Sequence, residues 1–265
     1  MTNTHRWTFL SLIGLGGALP LALILHAPPA APAPAAAPAG QTGSAGQVAS
    51  MASGASEPLR YIDDAAYSVE KLKALFPPAP ATDSAYHRLE TELVIAIQAE
   101  ANDAARARAQ SEDKVTPVVF ADVLGPGFNA ERFPKTIALL TLAGKESKVI
   151  SERAKDIWDR PRPPKASGNK VKPIVENPKS GSYPSGHATR GMLWARLLTA
   201  LAPDRADDLL ARGRLIGYDR IVAGVHYPSD VAAGYVLGES LAQHMLSNPA
   251  FQADLQAAQA EWKAR

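Results

Sequence analysis

The chain has 265 residues, 46% hydrophobic and 6% aromatic, so it is long enough to bury a sizeable core in one globular domain. Its 28 Lys and Arg against 26 Asp and Glu leave a formal charge of +2 without a long basic block, which argues against a nucleic-acid surface and makes any anion site local. The absence of cysteine excludes disulfides, cysteine-based metal sites and thiol nucleophiles together.

The first segment reads as a secretory leader: Arg6 precedes an apolar run from Trp7 to Leu25 broken only by small residues and Pro20. Ala37-Pro38-Ala39 before Gly40 has a cleavage-site pattern, which gives a signal peptide over 1–39; an uncleaved anchor is the other reading, because the run approaches spanning length. Either reading exports the rest, to the periplasm or outside the cell. Residues 40–56 are Ala-, Gly- and Ser-rich with little to bury, and are expected to form a flexible tether to a domain over 57–265.

Beyond Glu57 helical periodicity recurs and no long β-branched alternation interrupts it, so an all-α, compact multi-helix fold is expected. Leu89, Leu93, Ile97 and Ala101 fall four apart and predict one helix over Ser84–Gln110 with that stripe buried. Pro134 suits a first turn, and Ile137, Leu140, Gly144, Ser151, Ala154 and Trp158 share one face until Pro161 ends the run. Ser185 can cap a helix from Gly186 to about Ala202, Asp204 another to about Ala223, and Ser229 can start a fourth to Ser247. Phe251, Leu255, Ala258 and Trp262 suggest a closing helix.

Four histidines follow the leader, at 87, 187, 226 and 244. His226 and Asp230 stand four apart in GVHYPSDVAAG, where the carboxylate can fix the imidazole tautomer and leave the other nitrogen as a nucleophile or base; a surface pair is the plainer reading of that spacing alone. Ser185-Gly186-His187 can be a simple helix cap, or an anion cradle in which Gly admits a ligand to the backbone N–H groups of a helix start. Lys155, Arg162 and Arg220 lie near these turns, with Arg162 held between Pro161 and Pro163. His87 and His244 are expected to be surface or interhelical polar residues, and Trp158 and Tyr183 packing residues, with Tyr183 also able to line the mouth of a site.

K-x6-R-P from Lys155 to Pro163, P-S-G-H from Pro184 to His187 and R-x5-H-x3-D from Arg220 to Asp230 together resemble the three-part signature of the PAP2 phosphatase and vanadium haloperoxidase superfamily. Leu75-Phe76-Pro77-Pro78-Ala79-Pro80 before Ser84 is similar to the proline-rich segment of the bacterial class A non-specific acid phosphatases. The resemblance spans about Tyr61 to Met245. It implies a PAP2-type core with the site at helix termini. In it His226 is the nucleophile that becomes a phosphohistidine, Asp230 orients its ring, and His187 is the general acid and base. Lys155, Arg162, Ser185, Gly186 and Arg220 hold phosphate, no metal or other cofactor is required, and the substrates are small phosphomonoesters.

Two positions depart from the pattern. Asp219 replaces the Ser that commonly precedes the arginine, and can pair with Arg220 or point away; Phe76 and Ala79 interrupt the prolines. The same motifs suit a haloperoxidase with vanadate on His226, and in a phosphatase vanadate is an expected inhibitor. A non-enzymatic phosphate binder is the alternative from another class, while an integral-membrane lipid phosphatase lacks spanning segments after Leu25. Substrate choice is assigned to the loop Gly168–Lys179, which carries no recognisable code, and homo-oligomerisation stays open.

Overall fold

A computed structural model describes residues 58–264; the leader and tether expected over 1–56 lie outside the described residues. The described residues form helices and turns with no strand, as expected for an all-α fold. The helices are α1 (Val69–Leu75), α2 (Ala85–Glu100), α3 (Asp103–Ser111), the single turn α4 (Ala121–Leu124), α5 (Pro134–Trp158), the single turn α6 (Pro163–Ala166), α7 (Gly186–Thr199), α8 (Ala206–Val222), α9 (Pro228–Ser247) and α10 (Pro249–Lys263). None is long and apolar enough to cross a membrane.

The buried centre of the fold is α7, which packs against α5, α8 and α9. It approaches two of them almost backbone to backbone. A Cβ on Gly191 would lie 2.7 Å from the Gly213 carbonyl of α8, and one on Gly234 of α9 would lie 2.6 Å from the Ser185 carbonyl. Only glycine leaves room for that spacing. Leu193, Leu197 and Leu198 of α7 then fill the core with Leu140 and Ile150 of α5 and Leu237 and Leu241 of α9.

The span expected as one helix, Ser84–Gln110, is two. Asn102 turns extended, its side-chain oxygen accepts from Ala105 N at 2.9 Å to cap α3, and Arg106 donates to the carbonyls of Ala101 and Gln98 at the end of α2. The expected stripe is half right: Ile97 and Ala101 pack against the core, but Leu89 and Leu93 are exposed, and the first turns of α2 bury His87, Glu90, Thr91 and Val94 instead. Burial of His87 and Glu90 there follows the polar partners on α9 and the α5–α6 turn, not hydropathy. Asp204 sits in a 3-10 turn, Pro203–Arg205, and does not cap α8, which starts at Ala206 without a side-chain cap; α7 stops at Thr199. Ser185 does cap α7, accepting from Ala188 N at 3.3 Å.

Candidate active site

Four helix ends converge on one pocket. Lys155 stands in the last turn of α5, Ser185 and Gly186 start α7, Arg220 ends α8, and His226 precedes α9. Lys155, Arg162, Gly186, His187, Arg220 and His226 line this cavity of about 510 Å³ together with Ser151, Glu152, Ser180 and Arg190. Asp230 and Ser185 are fully buried behind it. All eight residues singled out from the sequence are therefore brought together, six on the wall and two beneath it.

The tautomer of His226 follows from its neighbours. Arg162 Nη1 can only donate, and lies 3.0 Å from His226 Nε2, so Nε2 carries the lone pair toward the pocket and Nδ1 carries the proton. Nδ1 faces Asp230 Oδ2 at 3.3 Å and Ser182 Oγ at 3.4 Å. Burial, then Arg162, Lys155 and Arg220, push the His226 pKa well below the usual histidine value. The ring is neutral, and its pocket-side Nε2 accepts from Arg162, a bond that attack on a ligand would replace.

Asp230 is held from every side. Its Oδ2 accepts from Ser182 Oγ at 2.5 Å and Tyr227 N at 2.8 Å, and its Oδ1 accepts from Arg160 Nη1 at 2.6 Å. Arg160 lies over the Tyr227 ring at 4.0 Å and also pairs with Glu90 at 2.8 Å, which in turn accepts from Ser229 N. His87 Nδ1 completes the ring around Arg160 at 3.2 Å. Arg160 and Glu90 were not anticipated. The repeated Arg-Pro of Arg160-Pro161-Arg162-Pro163 was the available signal for the first, whereas Glu90 carried none.

His187 has the opposite polarity. A carbonyl can only accept, so the 3.1 Å contact with Asp113 O fixes the proton on Nε2 and leaves the lone pair on Nδ1, 3.5 Å from Arg190 Nη2. Burial and then Arg220, Arg190 and His226 hold its pKa well below the usual value. For His187 to act first as the general acid that the resemblance implies, a bound anion must therefore offset those arginines.

The cations are built for an anion. Arg220 Nη2 donates to Asp113 at 3.1 Å, while its Nε and Nη1 are buried with no protein partner. Arg162 is fixed by three carbonyls, of Ser180, Val225 and Gly181, and burial brings its pKa down to about 10. Lys155 Nζ donates to Glu152 at 2.6 Å and to Ser180 Oγ at 3.3 Å. Asp219 turns away from Arg220 and pairs bidentately with Arg108 at 2.7 and 2.9 Å, so the departure from the motif does not tie up Arg220. Tyr183 packs edge-on against Phe76 and Trp158 and donates to Pro77 O at 2.6 Å, a packing role rather than a place on the pocket wall. His244 Nε2 accepts from Asp63 N on the surface.

The PAP2 superfamily is matched over residues 135–252. A non-specific acid phosphatase of Salmonella typhimurium is 32% identical over 191 residues, covering 68% of this chain and 75% of that protein. An acid phosphatase of Zymomonas mobilis is 35% identical over 147 residues, covering 54% and 55%. Among solved structures, a bacterial vanadium-dependent iodoperoxidase shares the fold with a TM-score of 0.50 at 16% identity; the aligned part is 64% of this chain and about half, 51%, of that one.

Proposed function

Because the chain belongs to the non-specific acid phosphatases of the PAP2 superfamily, we propose that it is an exported acid phosphatase that hydrolyses phosphomonoesters through a phosphohistidine on His226. The observation that carries this reading is the His226 Nε2 lone pair, backed by Asp230 and facing a pocket walled by Lys155, Arg162 and Arg220. The first expectation from the sequence, a signal peptide, supplies the export.

In the first half Nε2 attacks phosphorus and the bond to the leaving oxygen breaks. Lys155, Arg162, Arg220 and the N–H groups at the start of α7 hold the equatorial oxygens, with Ser185 serving chiefly as the cap that shapes that start. His187 protonates the departing alkoxide from Nδ1. Its depressed pKa in the protein is offset when a phosphate dianion enters beside Arg220 and Arg190, or its proton arrives with a monoanionic ester. In the second half His187, now neutral, takes a proton from water, water oxygen bonds phosphorus, and the P–N bond breaks to release phosphate and restore neutral His226. Fixed cations supply the charge stabilisation, so neither a metal nor another cofactor is needed, and vanadate acts as an inhibitor that occupies the phosphate position. Small monoesters are the substrates, over a broad range, with an acidic to neutral optimum.

The decisive experiment is a quench during turnover of a ³²P-labelled monoester. The expected result is label on the protein that is lost in acid, survives base and is missing from His226→Ala. Full turnover by that variant, or label that is acid-stable, overturns the covalent route.

A further inference from the structure

The three motifs account for three cations, but two more, Lys148 and Arg190, line the same pocket. Arg190 follows His187 by three residues, so it shares that face of α7 one turn on. Its Nη2 lies 3.5 Å from His187 Nδ1, but its Nε is buried without a partner and it forms no ion pair among the described residues. Burial, and then Arg220, push its pKa down, and Glu152 offsets this only in part.

Arg190 also borders a second hollow of about 190 Å³, whose other walls include Thr141, Lys145 and Lys148 of α5, Thr116 and Trp194. Lys148 and Arg190 line both spaces, so the side hollow adjoins the catalytic pocket along a basic wall. Lys145 and Lys148 lie three apart on α5 and form no salt bridge among the described residues. Among the described residues lining either space, Glu152 is the acid, and Lys155 already engages it at 2.6 Å. The Trp194 indole is occupied by Leu140 O and serves as wall.

Position relative to the chemistry gives this wall its meaning. In the proposed reaction the leaving oxygen must reach His187, and Arg190 is the next side chain along that face. We propose that Arg190, Lys148 and Lys145 form a subsite for a second phosphoryl group carried on the leaving group, so that bisphosphorylated small molecules are preferred over monoesters with a neutral leaving group. This rests on the phosphatase reading above, and adds a substrate class to it.

The test compares 1,3-propanediol bisphosphate with 3-hydroxypropyl phosphate at low ionic strength. The expected kcat/KM ratio is about tenfold in favour of the bisphosphate, the scale of a few partly exposed charge contacts, and it collapses in 0.5 M salt (about one Debye length of 4 Å). Lys145→Glu, on an exposed helix position, should bring the ratio to about two, the statistical value for two equal phosphates, while hydroxypropyl phosphate stays within about twofold. Turnover of both esters with a wild-type ratio near two, or a ratio unchanged by Lys145→Glu, overturns the subsite and leaves the phosphatase intact. Turnover of neither overturns the phosphatase reading. Calorimetry with methylenebisphosphonate and methylphosphonate then decides the subsite alone: tighter binding of the first, lost in Lys145→Glu, supports it, and equal affinity overturns it.

Discussion

Arg160 donates to Asp230 across 2.6 Å with neither side chain exposed, so the carboxylate behind His226 is braced from the side away from the imidazole. The brace runs on to Glu90 of α2. Arg160→Met strands two buried carboxylates and should destabilise the fold by about 3–5 kcal/mol. Through Asp230 it should also lower kcat about 10–100-fold with little change in KM, and Arg160→Lys should recover part of kcat. Steady-state kinetics on folded fractions, checked by circular dichroism, separates the two: unchanged kcat would mean that the arginine only holds the fold.

Asp219 bears on stability rather than on phosphate. It is fully buried and bonded to Arg108, a partner that is itself part-exposed and can be rehydrated. Asp219→Ser should therefore cost about 1–3 kcal/mol in urea unfolding while KM and phosphate inhibition move by less than about twofold. A large fall in KM would instead show that Asp219 weakens Arg220 electrostatically.

Acid should destabilise the ligand-free protein through its histidines. His187, His226 and His87 all have pKa values below the ordinary 6.5, so below that pH the unfolded chain binds protons that the folded chain refuses. Stability is full above about pH 6.5 and declines as pH falls, by up to about 1.4 kcal/mol per pH unit for each histidine still neutral in the fold. Inorganic phosphate should raise the His187 pKa and flatten the slope. Thermal melts from pH 7.5 to 5, with and without phosphate, would show a steeper decline without it; a slope that phosphate leaves alone would disconnect His187 from the anion.

Gly234→Ala probes the fit of α9 against the start of α7. The added carbon would stand 2.6 Å from the Ser185 carbonyl and 2.7 Å from Ala188 Cβ, so one helix must move. A loss of about 1–3 kcal/mol is expected, with a drop in kcat because Ser185 N also bonds Asp230 O at 2.9 Å. An increase in melting temperature would contradict the close approach.

Local chemistry made much of this legible. Capping and proline signals placed α5, α7 and α9 within a few residues, and the motif spacings gathered Lys155, Arg162, His187, Arg220 and His226 on one pocket. What failed was hydropathy on α2, where Leu89 and Leu93 point outward so that Glu90 and His87 can meet Arg160, about seventy residues away. A polar group buried for a distant partner leaves no periodic trace. Asp113 was hidden for the same reason: its carbonyl meets His187 and its carboxylate meets Arg220 only after α3 folds onto α8. Arg190 lay in plain view, within GSYPSGHATRG, but a helical arginine reads as solvated until the pocket around it is seen.

Glu90 and Asp113 both lie before residue 135, where the match to the PAP2 superfamily begins. All three signature motifs fall inside the matched stretch, yet Glu90, the second carboxylate on Arg160 after Asp230, and Asp113, the one on Arg220, come from outside it. A fragment trimmed to the motif-bearing helices would keep every reacting atom and still be a poorer enzyme, with Arg160 behind the nucleophile half unpaired and one anion anchor released. Grafting the motifs onto another helical frame would meet the same obstacle, since part of the rigidity of this site is imported from a segment that its signature does not mention.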